Sequence, residues 1–499
     1  MRFALIVISF FSLWHAAAAD YFAPSHRVSG IGISRDDLSS GDLQARTDLM
    51  IQSQTFAIMR DPQAIPGAKN ITNPKLQSLF RAAEKRSGVP ASLLEAMAYL
   101  ESWGDAQAGS PTGPKGIMQI SAATARSMGL RVVVATRYKI TREKMLVPSK
   151  RKKPVFKTIT HKTPYTVLVR DDRLKPDRAI PAAANYFAGM ERKFGGTDWA
   201  IFAYHCGQGC VNEMLELTRR ARGIPKDEVT VPRMFFAANP AWNRDLYEAI
   251  QQQMQRDYSP TYYFRVRRAQ ELLALYRRSP GEFQALAQQY RSEFGGGINA
   301  SRAPHRLSVW LKHDDLLFRS CDLIRAESGK RLFKAMDRPE YFGYKLNITP
   351  DTPEDLEAFQ HAAPAAIGTL TYIAFETRRL FEQMNPGDKF QPLPVVSLVA
   401  PQDYLEKLNQ REALAHCSGQ VFDIDYAGLP PKEVECLRFV LNDLGWDGYL
   451  GFVDEGRDNL HIGCSPSSRE FFTTVFQEAF DKYATLGGQE HSVAPASVR

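Results

Sequence analysis

From residue 71 onward, apolar and polar positions follow one another with helical period. KLQSLFRAAEKRSG reads as a helix closed by Gly88, and a second helix runs from Pro90 to Ser102, its proline placed where the missing N–H costs nothing. AIPAAANYFAGMERKFGG and TDWAIFAYHCGQG are two further helices, each ending in glycine. Before these two, residues 131–170 break the pattern. RVVVATRYKITREKMLVPSKRKKPVFKTITHKTPYTVLVR is β-branched, alternating and very basic, which predicts a β-rich insertion or a mobile flap, with a plain solvated loop as the alternative. Residues 212–365 are mostly helical and charged, with a break at Gly295-Gly296-Gly297. From 366 the texture changes. LPVVSLVAP, QVFDIDY, GYLGFVDE and NLHIGCS read as short strands, with helices at 367–384 and 467–486.

The first residues add a compartment. MRFALIVISFFSLWHAAAAD has one arginine, an apolar run from Phe3 to Trp14 and an Ala17-Ala18-Ala19 cleavage site, so a secretory signal peptide over 1–19 is expected. The run is short for a spanning helix, and no later stretch is long enough for one, so no transmembrane segment is expected in the mature protein. The net charge of +8 favours an anionic partner. Without a nucleic-acid-binding pattern, and in an exported protein, an acidic wall polymer fits that charge better than nucleic acid. Six cysteines in an oxidising compartment permit up to three disulfides, and the sequence does not choose among the pairings.

The chemistry begins at Glu101. It shares a helix face with Leu94 and Met97, although a glutamate ending a helix is more often simply solvated. A carboxyl held against apolar side chains is desolvated, which favours its protonated form and suits a general acid. Gly104, Gly109, Gly113 and Gly116 follow, with little bulk to keep backbone from lining a cleft, and Gln119 offers an amide to a polar ligand.

The whole pattern resembles the soluble lytic transglycosylases, the goose-type lysozyme-like enzymes that cut peptidoglycan glycan strands. Glu101-Ser102, Ala108, Ser110, Gly113, Gly116-Ile117-Met118-Gln119 and Thr124 stand at the family's spacings. Downstream, Ala203-Tyr204-His205-Cys206-Gly207-Gln208-Gly209 is similar to the family's Ala-Tyr-Asn and glycine-rich turn, with His205 in place of asparagine and Gln208 in place of proline. The resemblance covers about 75–215. It implies an all-α lysozyme-like domain and a single-acid mechanism. Glu101 would protonate the oxygen between N-acetylmuramic acid and N-acetylglucosamine, then deprotonate the muramyl C6 hydroxyl to leave a 1,6-anhydro end, with no cofactor. It also implies that Tyr204 steadies Glu101 or the sugar, and that Ser110, Met118, Gln119 and His205 line the substrate site.

A second constellation lies in HCSGQVFDID and DEGRDNLHIGC. Val421, Asp423 and Asp425 share one strand face, opposite Phe422, Ile424 and Tyr426, and His461 lies opposite its neighbours Leu460 and Ile462. Two imidazoles and a carboxylate suit zinc with a fourth position open to water. Residues 366–485 resemble the zinc D-Ala-D-Ala carboxypeptidase and LAS-type peptidases. That resemblance implies His416, Asp423 and His461 as metal ligands, with Gly419 in the frame. Ala400 stands where the family often has arginine. The base is Glu455 or, at the family's usual spacing, Asp458. Cys417 and Cys464 flank the ligands, which permits a disulfide near the metal.

The expected protein is a multidomain periplasmic wall enzyme. It has a signal peptide (1–19), an N-terminal extension (20–70), an all-α lysozyme-like transglycosylase domain with a basic β-rich insertion (71–258) and a helical linking region (259–365). An α+β zinc-peptidase-like domain (366–486) and a disordered tail (487–499) follow. One alternative makes the C-terminal domain a metal-free wall-binding module. The other makes the whole chain an inert envelope scaffold.

Overall fold

A computed structural model describes residues 21–26, 40–109, 113–147, 155–226, 228–256, 259–291, 315–408, 411–456 and 458–486. The expected signal peptide, Ser110, the glycine run at 295–297, the basic cluster at 150–153 and the tail lie outside the described residues, as does the Glu455 side chain. The chain divides into two compact units. Leu43–Ala238 and Asp245–Gly296 make a helical unit, and Asn239–Arg244 joins Met1–Asp42 and Gly297–Arg499 in the other.

The helical unit is built around the helix Ala91–Ser102. Leu94, Ala96, Met97, Ala98 and Tyr99 are all fully buried, so this helix is apolar nearly all round, as a central core helix must be. Its one buried acid on the inner turns, Glu95, is satisfied by Gln77 at 2.9 Å and by an ion pair with Arg277. The helices Ser259–Arg278, Pro74–Ser87 and Ala64–Ile71 pack against it, and Pro176–Phe194 packs on Pro74–Ser87. Pro176–Phe194 begins with proline and ends at Gly195 in the left-handed conformation, as its sequence predicts.

Two boundaries differ from expectation. Within 20–70 lie the helices Ser40–Met59 and Ala64–Ile71, and Met50, Met59 and Ile71 are buried. The pattern is faint because Arg46, Thr47, Gln54 and Thr55 are buried beside the apolar residues. Two of them reach partners far along the chain: Arg268 donates to the Thr55 hydroxyl at 2.7 Å, and Arg46 stacks 4.2 Å over Phe236. Residues 259–365 are likewise not one linker. Ser259–Arg278 and Pro280–Arg291 belong to the helical unit, whereas the chain from Asp315 belongs to the other. The strands there, Phe333–Lys334, Tyr344–Leu346 and His361–Ala362, are too short to show alternation.

The insertion is a long antiparallel hairpin of Val132–Val147 and Val155–Asp171. Its base is fixed by buried carboxylates. Asp172 accepts from Arg170 at 3.0 Å and from the Arg131 backbone N–H at 3.2 Å, and Asp171 pairs with Arg173 at 2.7 Å.

The second unit holds a five-stranded sheet in the order Tyr344–Leu346, Leu393–Ser397, Val421–Asp425, Asn459–Cys464, Leu450–Gly456. The first pair is parallel and the others antiparallel. The helices Pro364–Met384, Pro431–Trp446 and Arg469–Thr485 pack together with it. Gly368 lets two of them meet backbone to backbone, since a Cβ there would stand 1.8 Å from the Phe472 carbonyl oxygen. Tyr21 and Phe22 belong to this unit: Phe22 N–H donates to the Tyr341 carbonyl at 2.9 Å, and Arg378 lies 3.9 Å over the Tyr21 ring. No two of the six cysteines stand at disulfide-bonding distance, so the structure carries none of the permitted disulfides. Burial pushes the Cys417 thiol up to about 11 and that of Cys436 up to about 12.

Candidate active site

Glu101 occupies the last turn of Ala91–Ser102, and the helix stops two residues later at Trp103, whose φ is +53°. Ser102, beside it, donates to the Ala98 carbonyl at 3.1 Å and to the Ile117 carbonyl at 2.8 Å. The second bond ties the Gly-Ile-Met-Gln turn to the end of the acid helix. Gly116 makes that turn possible. Its φ is +80°, and a Cβ would lie 1.9 Å from the Arg173 carbonyl oxygen. Arg173 is itself buried and donates to the carbonyls of Gly113 at 3.0 Å and Ile120 at 3.1 Å, so it clamps both ends of the turn. Burial alone would raise its partner Asp171, but the guanidinium reverses this and holds the carboxyl below the usual range.

The Glu101 side chain is 12% exposed. Its Oε1 accepts a hydrogen bond from the Tyr262 hydroxyl at 2.7 Å. His205 Nδ1 lies 3.8 Å from the same oxygen, and its ring stacks on Tyr262 at 4.5 Å and 12°. His205 precedes a kink in Thr197–Arg220, where Gly207 leaves helical geometry at φ +83°, ψ +162°. Three side chains from three helices thus meet at one carboxyl oxygen. The arrangement suits a group that must exchange a proton in a pocket with restricted water.

Tyr204 and Gln119 both bond to backbone carbonyls. Tyr204 does not hold Glu101: its hydroxyl donates to the Met118 carbonyl at 2.8 Å, fixing the turn instead. Burial, with Glu101 and Tyr186 nearby, raises the Tyr204 phenol well above its ordinary value, so it remains a neutral donor. Gln119, at φ +42°, donates its amide to the carbonyls of Ala108 at 3.2 Å and Gly116 at 2.9 Å. Both residues build the wall of the site. Asp105 and Asp198 are committed to backbone N–H groups, of Gln107 at 2.8 Å and Val231 at 2.7 Å.

Tyr262 belongs to no sequence motif. Its signal was there in the row Tyr262, Val266, Ala269, Leu273, all buried. A tyrosine on such a row needs a polar partner for its hydroxyl. Nothing in the sequence says that the partner is Glu101.

In the sheet unit, Asp423 and His461 are directly opposed across adjacent strands, and Ser397 opposes Asp423 on the other side. Asp423 Oδ1 lies 2.6 Å from His461 Nδ1 and 3.3 Å from His416 Nε2. One ligand atom from each of the three residues lies within 4.8 Å of the others. His416 Nδ1 faces the Leu398 carbonyl at 2.7 Å, which makes that nitrogen the N–H and sets Nε2 on the Asp423 side. Burial would raise Asp423, but the two imidazoles more than reverse it and hold the carboxyl far below its usual range. The donor set fits zinc in number and type. Asp458 is exposed at φ +63°. Cys417 and Cys464 are buried, and Cys464 lies on the strand face opposite His461.

Residues 78–150 and 144–224 match the family described as Transglycosylase SLT domain, all within the helical unit. The chain is 29% identical over 177 residues to a membrane-bound lytic murein transglycosylase F of Alcanivorax borkumensis, covering 34% of this chain and 29% of that protein. It is 34% identical over 132 residues to the peptidoglycan transglycosylase gp16 of Escherichia phage T7, covering 26% of this chain and 8% of that protein. It is 27% identical over 161 residues to a membrane-bound lytic murein transglycosylase F 2 of Alkalilimnicola ehrlichii, covering 31% and 26%. The similarity therefore spans less than a third of each relative. Among the described residues, no helix is long and apolar enough to cross a membrane.

The turn geometry makes a direct prediction. Gly116→Ala should destabilise the helical unit by about 1–3 kcal/mol or more, because the new methyl overlaps a backbone carbonyl that cannot rotate away. Gly113→Ala, with open space around its Cβ position, should cost less. Urea unfolding of the two variants checks this. Equal stabilities would mean that the Arg173 carbonyl does not constrain the turn.

Proposed function

We propose that the protein is a peptidoglycan lytic transglycosylase acting through Glu101. The observation that carries the reading is one carboxyl, set in a secluded junction of helices, whose oxygen is held by Tyr262 beside the His205 ring. The similarity of residues 78–224 to transglycosylase SLT domains supports the same chemistry. Glu101 donates its proton to the oxygen between N-acetylmuramic acid and N-acetylglucosamine as the bond breaks. The carboxylate then takes the proton of the muramyl C6 hydroxyl, which closes on C1 and leaves a 1,6-anhydro end. No second carboxylate acts as nucleophile or base, in contrast to the paired-carboxylate hydrolases. Asp105 and Asp198 fit this, since both serve backbone N–H groups. The role of Tyr262 is to fix the Glu101 oxygen on the bond to be cut. Met118 and Gln119 shape the wall on which the sugars lie, and Ser110 keeps the sugar-binding role that the family resemblance implies. The compartment that suits this substrate is the periplasm.

The expected outcome for Glu101→Gln is normal folding with glycan solubilisation slowed by at least roughly 10²-fold, since the amide neither gives nor recovers a proton. Tyr262→Phe should keep the fold and slow the reaction by roughly tenfold, the scale of one hydrogen bond to a charged group. Dye release from labelled sacculi measures both. A Glu101→Gln variant as active as the parent would remove Glu101 from the mechanism.

A second reading rests on the opposed pair Asp423 and His461 with His416. We propose that these residues hold zinc and that this unit cuts stem peptides. A bound zinc would supply a water that ionises near neutrality, at a pKa of ~7. His416 and His461 would bind as neutral imidazoles, with His416 oriented by the Leu398 carbonyl. Glu455 or Asp458 would take the proton of the attacking water. The purified chain is expected to hold about one zinc, as a three-ligand site with one open position does. His461→Ala should lose that metal and any peptide cleavage while sparing glycan cleavage. Glu455→Gln and Asp458→Asn should each keep the metal, and whichever loses peptide cleavage is the base. A chain that takes up no zinc on titration would leave a metal-free wall-binding unit.

A further inference from the structure

The hairpin Val132–Val147 and Val155–Asp171 projects from the helical unit with strands of 16 and 17 residues, about 50 Å at ordinary strand rise. Register assigns its faces. Val134 opposes Leu168, Tyr138 opposes Pro164, Ile140 opposes Lys162, Arg142 opposes Thr160 and Lys144 opposes Thr158. These pairs share one face with Phe156, since directly opposed residues of an antiparallel pair point the same way. On that face Val134 is 59% exposed, Tyr138 59%, Ile140 56%, Phe156 72% and Leu168 43%. The charges among the same pairs are all positive: Arg142, Lys144 and Lys162. The hairpin strands' one glutamate, Glu143, opposes Ile159 and points to the other face.

A solvated ribbon gains nothing from a row of uncovered aromatic and branched side chains, and a patch of this kind marks a contact surface. The combination narrows the partner. An acidic peptide or wall polymer would use the cations and leave the apolar row in water. A second copy of the hairpin would bring like charges together. An anionic lipid surface takes both, with cations at the headgroup phosphates and apolar side chains at the acyl boundary. From this we infer that the hairpin is a membrane-docking arm, which lays its Tyr138–Ile140–Phe156 face on an anionic bilayer.

The test uses the full mature chain and sedimentation with vesicles of phosphatidylcholine, either alone or with about one-third phosphatidylglycerol. Binding to the anionic vesicles is expected to be at least roughly tenfold tighter. A combined Tyr138→Ser, Ile140→Ser, Phe156→Ser variant should keep the parent's thermal unfolding, because these side chains contribute nothing to the core. It should lose roughly tenfold or more in vesicle affinity, including at high salt where exposed charges are screened. A combined Arg142→Gln, Lys144→Gln, Lys162→Gln variant should lose roughly a hundredfold at low salt. Unchanged vesicle binding by the serine variant would overturn the proposal. So would hairpin-dependent binding to sacculi without vesicle binding, or a hairpin-dependent dimer in sedimentation equilibrium.

Discussion

The hydrogen bond from Tyr262 to Glu101 joins helices whose residues stand 161 positions apart. A partner for its last carboxyl lowers the cost of burying the acid helix on nearly every side. An unpaired carboxyl at 12% exposure would oppose the packing that the rest of the helix requires. Tyr262 meets that need from a helix on which the buried row Val266, Ala269 and Leu273 packs apolar surface. His205 completes the arrangement by stacking on the tyrosine ring. The same set of contacts that makes the fold tolerable makes the carboxyl immobile, and an immobile carboxyl is what proton transfer to a sugar oxygen needs.

The turn that faces Glu101 is built with equal economy. Ser102, Tyr204 and Arg173 all terminate on its carbonyls, and Gln119 bonds back into it. Residues that a motif would assign to substrate recognition are used to hold backbone in two left-handed positions, Gly116 and Gln119. A glycan strand would then meet a surface shaped by main chain, whose polar groups cannot swing away. The sheet unit follows similar logic: Asp423 is fixed by strand pairing to both Ser397 and His461, so its carboxylate has little freedom to leave the imidazoles.

Local pattern made much of this legible. The helix through Glu101 was readable from apolar period and its proline start, and the helix expected at 367–384 is found at Pro364–Met384. The strands LPVVS, VFDID and NLHIGC stand where alternation predicts them, and His416, Asp423 and His461, a set taken from a family resemblance, lie together. What escaped was long-range. Tyr262 carries no motif, and its role depends on a helix crossing that no local window contains. Ser40–Met59 hides because its buried polar residues blur its apolar face. Tyr204 and Gln119 also bond to backbone carbonyls, since residue type fixes what a side chain can donate and only the turn's geometry fixes to whom. The six cysteines permitted disulfides by number, yet pairing requires the close Cβ approach that sequence does not encode.

The central claim is that a single carboxyl both gives and recovers the proton, so the cut glycan must close on itself. Mass spectrometry of the muropeptides released from purified sacculi reads this directly. Products ending in 1,6-anhydro-N-acetylmuramic acid, one water lighter than reducing ends, are the predicted result. Reducing ends with water incorporated from the solvent would contradict it, because they would require a second group to activate water against the same bond.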